Sequence, residues 1–278
     1  MKKLKLSLTI LLTLTVVLLA ACGNNSNTAS DSTAGTNGEG SATAKNSLEA
    51  VKSSGKLRIG TEGTYAPFSY HDTAGKLTGF DVEIAEEVAK RLGVKAEFTE
   101  TQWDGLFAGM DAKRFDVIFN QVSINEDRKV KYDFSEPYIV SKAVLIVRDD
   151  NEEIKTFADL KGKKAGQSLT SNLTDIARDN GAELVATDGF NQAMDLLTSG
   201  RIDATVNDGL SFLDLKKQKP DAKIKVVDEI PNGSESAAVF LKGNDELVKA
   251  VSDAIVEMKS DGTYLKISEK YFGTDVSK

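Results

Sequence analysis

Two stretches of this chain, 87 residues apart, repeat one another: WDGLFAGMDAKRFDVIFNQ from Trp103 and FNQAMDLLTSGRIDATVND from Phe190. At that offset Arg114 meets Arg201, Asp116 meets Asp203 and Asn120 meets Asn207. In both, an aromatic residue opens a helical stripe, Arg-x-Asp makes a turn, and an apolar strand ends at Asn followed by a polar residue. A unit used twice in 278 residues implies two similar lobes, each with a polar strand end.

The surrounding pattern gives the class. Short apolar runs at 57–60, 94–99, 116–120, 164–167, 183–186, 204–207 and 224–227 read as strands. Helical stripes at 81–92, 103–112, 171–180, 190–199 and 210–218 lie between them, and two more helices close the chain near 245–261 and 264–271. This alternation predicts α/β architecture with mainly parallel sheets. Open sheets of that kind bind ligands beyond the carboxyl ends of their strands. Two facing lobes would put Gln121 and Asp208 on opposite walls of one cleft.

The first 45 residues lie apart from this pattern. Lys2, Lys3 and Lys5 precede an apolar run over 6–21, which is shorter than the roughly 20 residues a membrane-spanning helix needs. A basic start, a short apolar core and small residues at its end read as a secretory signal over 1–21. Leu19-Ala20-Ala21-Cys22 is similar to the lipobox of bacterial lipoproteins, where the cysteine becomes the acylated N-terminus; a chance cysteine after an ordinary signal is the plainer alternative. Two acyl chains suffice for stable anchoring. The segment 23–45 is almost all Gly, Ser, Thr, Asn and Ala, which cannot bury a core and reads with Cys22 as a lipid-anchored flexible linker. Removing 1–21 takes three lysines and moves the formal charge from −7 to −10.

Composition removes several function classes. An acidic chain does not offer the clustered Lys and Arg that nucleic-acid binding needs, so no nucleic-acid partner is expected. A single cysteine excludes an intrachain disulfide and any cysteine-rich zinc site, and a single histidine excludes HExxH, so no metal and no cofactor are expected. Ser-His-Asp chemistry would rest on His71, in the polar turn YHDTAG, which reads as exposed. No catalytic residue is assigned.

Three features point to a zwitterionic ligand. Ser123 and Arg128 follow a strand end in NQVSINEDR, and a guanidinium fork with a nearby hydroxyl suits a carboxylate; a solvated surface pair is the alternative. Thr170, Ser171 and Asn172 stand where a helix begins, with free N–H groups and a dipole that attract an anion, although Ser171 or Asn172 also reads as a helix cap. Asp208 after a buried strand supplies a carboxylate for an ammonium group, and equally reads as an N-cap. Tyr65 and Phe68 in GTYAPF, with Trp103, the one tryptophan, are aromatic wall or core.

The runs GTEGTYAPFSYHDTAGKLTGFDVEIAEEVAKRLG and TQWDGLFAGMDAKRFDVIFNQVSINEDRKVKYDFSEPY, with SLTSN, GRIDATVND and DGTYLKISEKYFG, resemble the polar-amino-acid solute-binding proteins of ABC importers over 48–274. NQVSI, TQWDG and QSLTSN look most like the L-cystine-binding lipoproteins of Gram-positive bacteria. The resemblance implies a two-lobed, periplasmic-binding-protein-like fold of type II with two hinge crossovers, near 139–143 and 234–238. Lobe one would be 46–140 plus 238–278, and lobe two 141–237. It further implies that Arg128 and Ser123 hold the α-carboxylate, Asn120 and Gln121 face the amino-acid group, and Asp208 holds the α-ammonium. Ser171 and Asn172 would bind carboxylate, and Tyr65, Phe68 and Trp103 would form the aromatic wall. Thr170 departs from the family's usual glycine, and would either add a hydroxyl contact or narrow the pocket.

The function so implied is an extracellular, lipid-anchored binding protein on the cell membrane, monomeric, that closes on L-cystine and delivers it to an ABC permease. Another polar amino acid (glutamine, histidine, arginine or glutamate) is the first alternative. An amino-acid dehydratase on the same fold is the second, with Glu62 or Glu83 as acid-base candidates, Glu83 reading as solvated. A sensor ectodomain is the third, and no membrane-spanning segment is read after the body of the chain.

Overall fold

Two five-stranded sheets of matching topology organise the chain. The computed structural model describes residues 47–278; the expected signal over 1–21, the expected acylation at Cys22 and the expected linker lie outside the described residues. In the first sheet the order is Lys95–Glu100, Lys56–Thr61, Val117–Ile118, Val239–Leu241, Tyr132–Phe134. In the second it is Glu183–Ala186, Lys164–Gln167, Ala204–Asp208, Ala143–Arg148, Ile224–Glu229. The first three strands of each are parallel and the last two join antiparallel. The sequence pattern predicts mainly parallel sheets. The antiparallel pairs arise because the chain changes lobes: Ala143–Arg148 follows the outward crossing and Val239–Leu241 follows the return, so each enters its sheet reversed.

The two crossings are themselves strands. Ile139–Ser141 and Ser234–Ser236 pair antiparallel, with Val140 opposite Glu235, in a two-stranded ribbon between the lobes. A ribbon of two short strands is held by few ladder bonds, which suits a hinge.

The internal repeat is structural. Helices Trp103–Asp111 and Phe190–Thr198 keep the offset of 87 from end to end. After each, the Arg amide closes the turn: Arg114 N–H donates to Gly109 O and Arg201 N–H to Leu196 O, both at 2.9 Å. The paired aspartates do one job. The Asp116 carboxylate accepts from Arg58 N–H at 3.0 Å, and the Asp203 carboxylate from Lys164 N–H at 2.8 Å. Each aspartate ties its turn to the beginning of the second strand in the order of its sheet.

Local chemistry sets the helices around the cleft. Phe80–Arg91 buries Phe80, Ile84, Ala85 and Val88 on one face, with Asp81 and Glu83 in its first turn and Lys90 and Arg91 in its last, matching the helix dipole. Gly93, at φ 76°, ends it, with Val94 N–H donating to Ala89 O. Phe80 also anchors the first lobe's core against Tyr138 and Phe272, at centroid distances of 6.1 and 5.1 Å. His71 lies on a strand, Ser69–His71, of a small three-stranded sheet rather than in a turn, and is exposed. No helix among the described residues is long and apolar enough to cross a membrane.

Candidate functional site

A cavity with about 570 Å³ of atom-free space, its open mouth included, lies between the carboxyl ends of the two sheets. Of the residues read from sequence, Tyr65, Trp103, Gln121, Ser123, Ser171, Asn172 and Asp208 line it. Phe68, Asn120, Arg128 and Thr170 do not, and each has another place in the fold.

Arg128 sits one layer behind the wall. Its side chain donates to Ser123 O at 2.8 Å, and its guanidinium lies 5.3 Å from the centres of both the Trp103 and Phe107 rings. It is 8% exposed, and among the described residues no carboxylate pairs with it. Burial lowers its pKa to about 10, with Asp175 the only charge that opposes the fall. A guanidinium held by aromatic faces and one carbonyl keeps most of its five donors free for an anion.

Two carboxylates are buried on opposite walls, and neither pairs with a cation among the described residues. Asp208, on the second lobe, accepts from Leu210 N–H at 2.8 Å and from the Ser141 hydroxyl, so it caps helix Gly209–Gln218 while lining the cavity. The N-cap reading of Asp208 holds, and the capping side chain also lines the cavity. Burial pushes its pKa up to about 6. Glu62, on the first lobe, is 7% exposed and raised to about 7, again chiefly by burial. Asn120 sets its position: Nδ2 donates to Glu62 Oε2 at 2.6 Å, while Oδ1 accepts from the Glu62 amide at 2.8 Å. Asn120 thus shapes the wall from beneath. Phe68 does the same for Tyr65, with ring centres 5.2 Å apart. Glu83 lies elsewhere, half-buried, bound by Tyr271 at 2.6 Å and by Lys270.

Polar capacity on the wall is left over. Trp103 Nε1, a donor, and Gln121 Oε1, an acceptor, are buried without a partner among the described residues. Gln121 holds φ at 51°, a left-handed backbone that costs a non-glycine residue of the order of 1 kcal/mol, and its amide donates to Asp81 at 2.7 Å. At the start of helix Asn172–Asp179, Ser171 Oγ accepts from Leu173 N–H at 3.2 Å, so Ser171 is the cap.

Sequence reasoning overlooked Phe190, Asn207 and Gly189, which also line the cavity, and weighed Glu62 only as an acid-base group. The repeat contained the signal for two of them: Phe190 is the counterpart of Trp103, and Asn207 of Asn120. Gly189, at φ 151°, comes so close to Glu62 that a Cβ there would lie 3.4 Å from its Oε1.

The lobes are closed on one another. Tyr65 OH donates to Asn207 Oδ1 at 2.8 Å, and Asn191 Nδ2 donates to Thr64 O at 2.9 Å. The Asp104 carboxylate accepts from Leu169 N–H, Thr170 N–H and the Thr170 hydroxyl at 3.2, 3.0 and 2.7 Å.

Comparison with known proteins agrees with this architecture. The chain is 45% identical to the L-cystine-binding protein TcyA of Bacillus subtilis (strain 168), over 99% of each chain. It superposes on an ancestral arginine-binding protein bound to glutamine with a TM-score of 0.76, at 41% identity, covering 79% of this chain and 98% of that one. For the L-cystine solute receptor of Neisseria gonorrhoeae in its unliganded open conformation, identity is higher, 49%, but the TM-score is 0.56, covering 83% and 98%. The shape is nearer the ligand-bound protein although the sequence is nearer the open one, as expected for closed lobes. Residues 57–274 match the family as a whole, and the chain belongs to the bacterial extracellular solute-binding proteins, family 3.

Proposed function

We propose that this solute-binding protein of an ABC importer takes L-cystine in its inter-lobe cleft and hands it to the permease. One observation carries the choice of ligand: among the described residues, Glu62 and Asp208 are buried on opposite walls without cations, and Arg128 is buried behind Ser123 without an anion. Leaving such charges buried and unpaired is unfavourable, so they are matched when a ligand brings the opposite charges. Cystine carries two ammonium and two carboxylate groups. Asp208 takes one ammonium and Glu62 the other; Arg128, with Ser123, takes one carboxylate, and the second lies at the start of helix Asn172–Asp179. Tyr65, backed by Phe68, and Trp103 give the apolar shelf for the disulfide. The names of the Bacillus and Neisseria relatives support the same ligand.

The lobes in this reading are 46–140 with 238–278, and 141–237. Anchoring is through diacylated Cys22 on the outer face of the cell membrane, and Cys22→Ala is expected to release the protein from the membrane fraction. Calorimetric titration of ligand-stripped protein with L-cystine, then glutamine, histidine, arginine and glutamate, tests the ligand. Tight binding to cystine alone is expected; tight binding to another member of the series overturns the cystine assignment.

A further inference from the structure

We propose that Asp104 and the Leu169–Thr170 turn form a latch that holds the lobes closed and sets how long the ligand stays, without touching it. None of the three residues lines the cavity, and all three are exposed. Asp104 is the second residue of helix Trp103–Asp111, where a carboxylate ordinarily serves its own helix N-terminus. Here both its oxygens face the other lobe: Oδ1 accepts the Thr170 amide and hydroxyl, and Oδ2 accepts the Leu169 amide. It is the one charged group seen to bridge the lobes among the described residues.

The latch clamps the two walls at their roots. Asp104 follows Trp103, and Thr170 precedes Ser171; Trp103 and Ser171 both line the cavity. Three bonds to one carboxylate form only when these helix starts come together. They therefore add to the closed state alone and slow opening, leaving encounter in the open state unaffected. Thr170 supplies one of the three through its side chain, which a glycine there would lack.

This rests on the hinge-closing reading above, and Trp103, the single tryptophan, supplies the readout. In stopped-flow fluorescence with L-cystine, Asp104→Ala and Thr170→Ala are each expected to raise the dissociation rate, Asp104→Ala by roughly ten-fold. The association rate stays within about two-fold, and the double variant loses less than the product of the two single effects. Amide exchange without ligand should quicken at 169 and 170 in Asp104→Ala. An unchanged dissociation rate in variants that still bind, or unchanged exchange at both amides, overturns the latch. Absence of a fluorescence response to L-cystine in the parent protein contradicts the ligand assignment instead, and the exchange rates then decide the latch alone.

Discussion

Asn120 grips Glu62 twice, donating Nδ2 to its carboxylate at 2.6 Å and accepting its backbone amide on Oδ1 at 2.8 Å. The same Oδ1 accepts from the hydroxyls of Thr61 and Ser69 at 3.1 and 3.3 Å. One buried carboxamide therefore fixes the strand end that carries an unpaired carboxylate into the cleft. Asn120→Leu is expected to cost about 1–3 kcal/mol of stability through the donors it strands. It should also weaken L-cystine binding more than it weakens binding of a ligand with one ammonium group. Urea denaturation and calorimetry measure the two effects.

Arg128 should be dispensable for the fold and indispensable for the ligand. Arg128→Met puts an apolar chain beside the Trp103 and Phe107 rings in place of the guanidinium, and removes a buried charge that has no carboxylate partner among the described residues. Binding is expected to weaken by about 2–5 kcal/mol. Stability without ligand should hold or rise. Arg128→Lys retains charge but not the fork, and should fall between. A parallel loss of stability and affinity would make Arg128 a structural residue.

Three buried carboxyls make stability depend on pH in an unusual direction. Glu62 and Asp81 are raised to about 7 and Asp208 to about 6. Between ordinary carboxyl values and pH 7 the closed, ligand-free protein holds protons that the unfolded chain has released. Their stabilising contribution is complete below the unfolded values and is lost as pH rises through 6 to 7. The melting temperature of the ligand-free protein is therefore expected to fall from pH 5 to pH 7.5, and Asp81→Asn to flatten that fall. Ammonium groups need the ionised forms of Glu62 and Asp208, so L-cystine affinity should rise over the same window, with protons released on binding. Calorimetry in two buffers of different ionisation enthalpy reads that release.

Gly189 opens helix Phe190–Thr198 at a backbone angle that side chains rarely adopt, facing Glu62. Gly189→Ala strains the backbone, while its Cβ would only touch the Glu62 carboxylate at an ordinary contact distance of 3.4 Å. A loss of about 1 kcal/mol in stability is expected. L-cystine affinity should fall little beyond that, because the Cβ meets Glu62 at ordinary contact distance. A much larger loss of affinity than of stability would show that closure on the ligand brings the two closer than this.

The parts of this fold legible in the sequence were those written locally. The 87-residue repeat, the helix stripes and the parallel strands are short-range patterns, and the structure keeps them within a residue or two. Ala143–Arg148 and Tyr132–Phe134 escaped notice because their pairing depends on where the chain crosses between lobes, which periodicity does not encode. The site divides the same way. Asp208 and Ser171 stand at strand and helix ends, where sequence marks them. Glu62 reads from sequence only as an acid-base candidate, until burial and Asn120 set it on the cleft wall. Thr170, expected at the pocket, instead reaches Asp104, a partner 66 residues away on the other lobe.

The most direct test of the central claim is a crystal structure of the protein with L-cystine. The account predicts one ammonium group on Asp208, the other on Glu62, and a carboxylate in a two-pronged contact with Arg128. Cystine bound with Glu62 facing no ammonium group, or with its carboxylates away from Arg128, would contradict it.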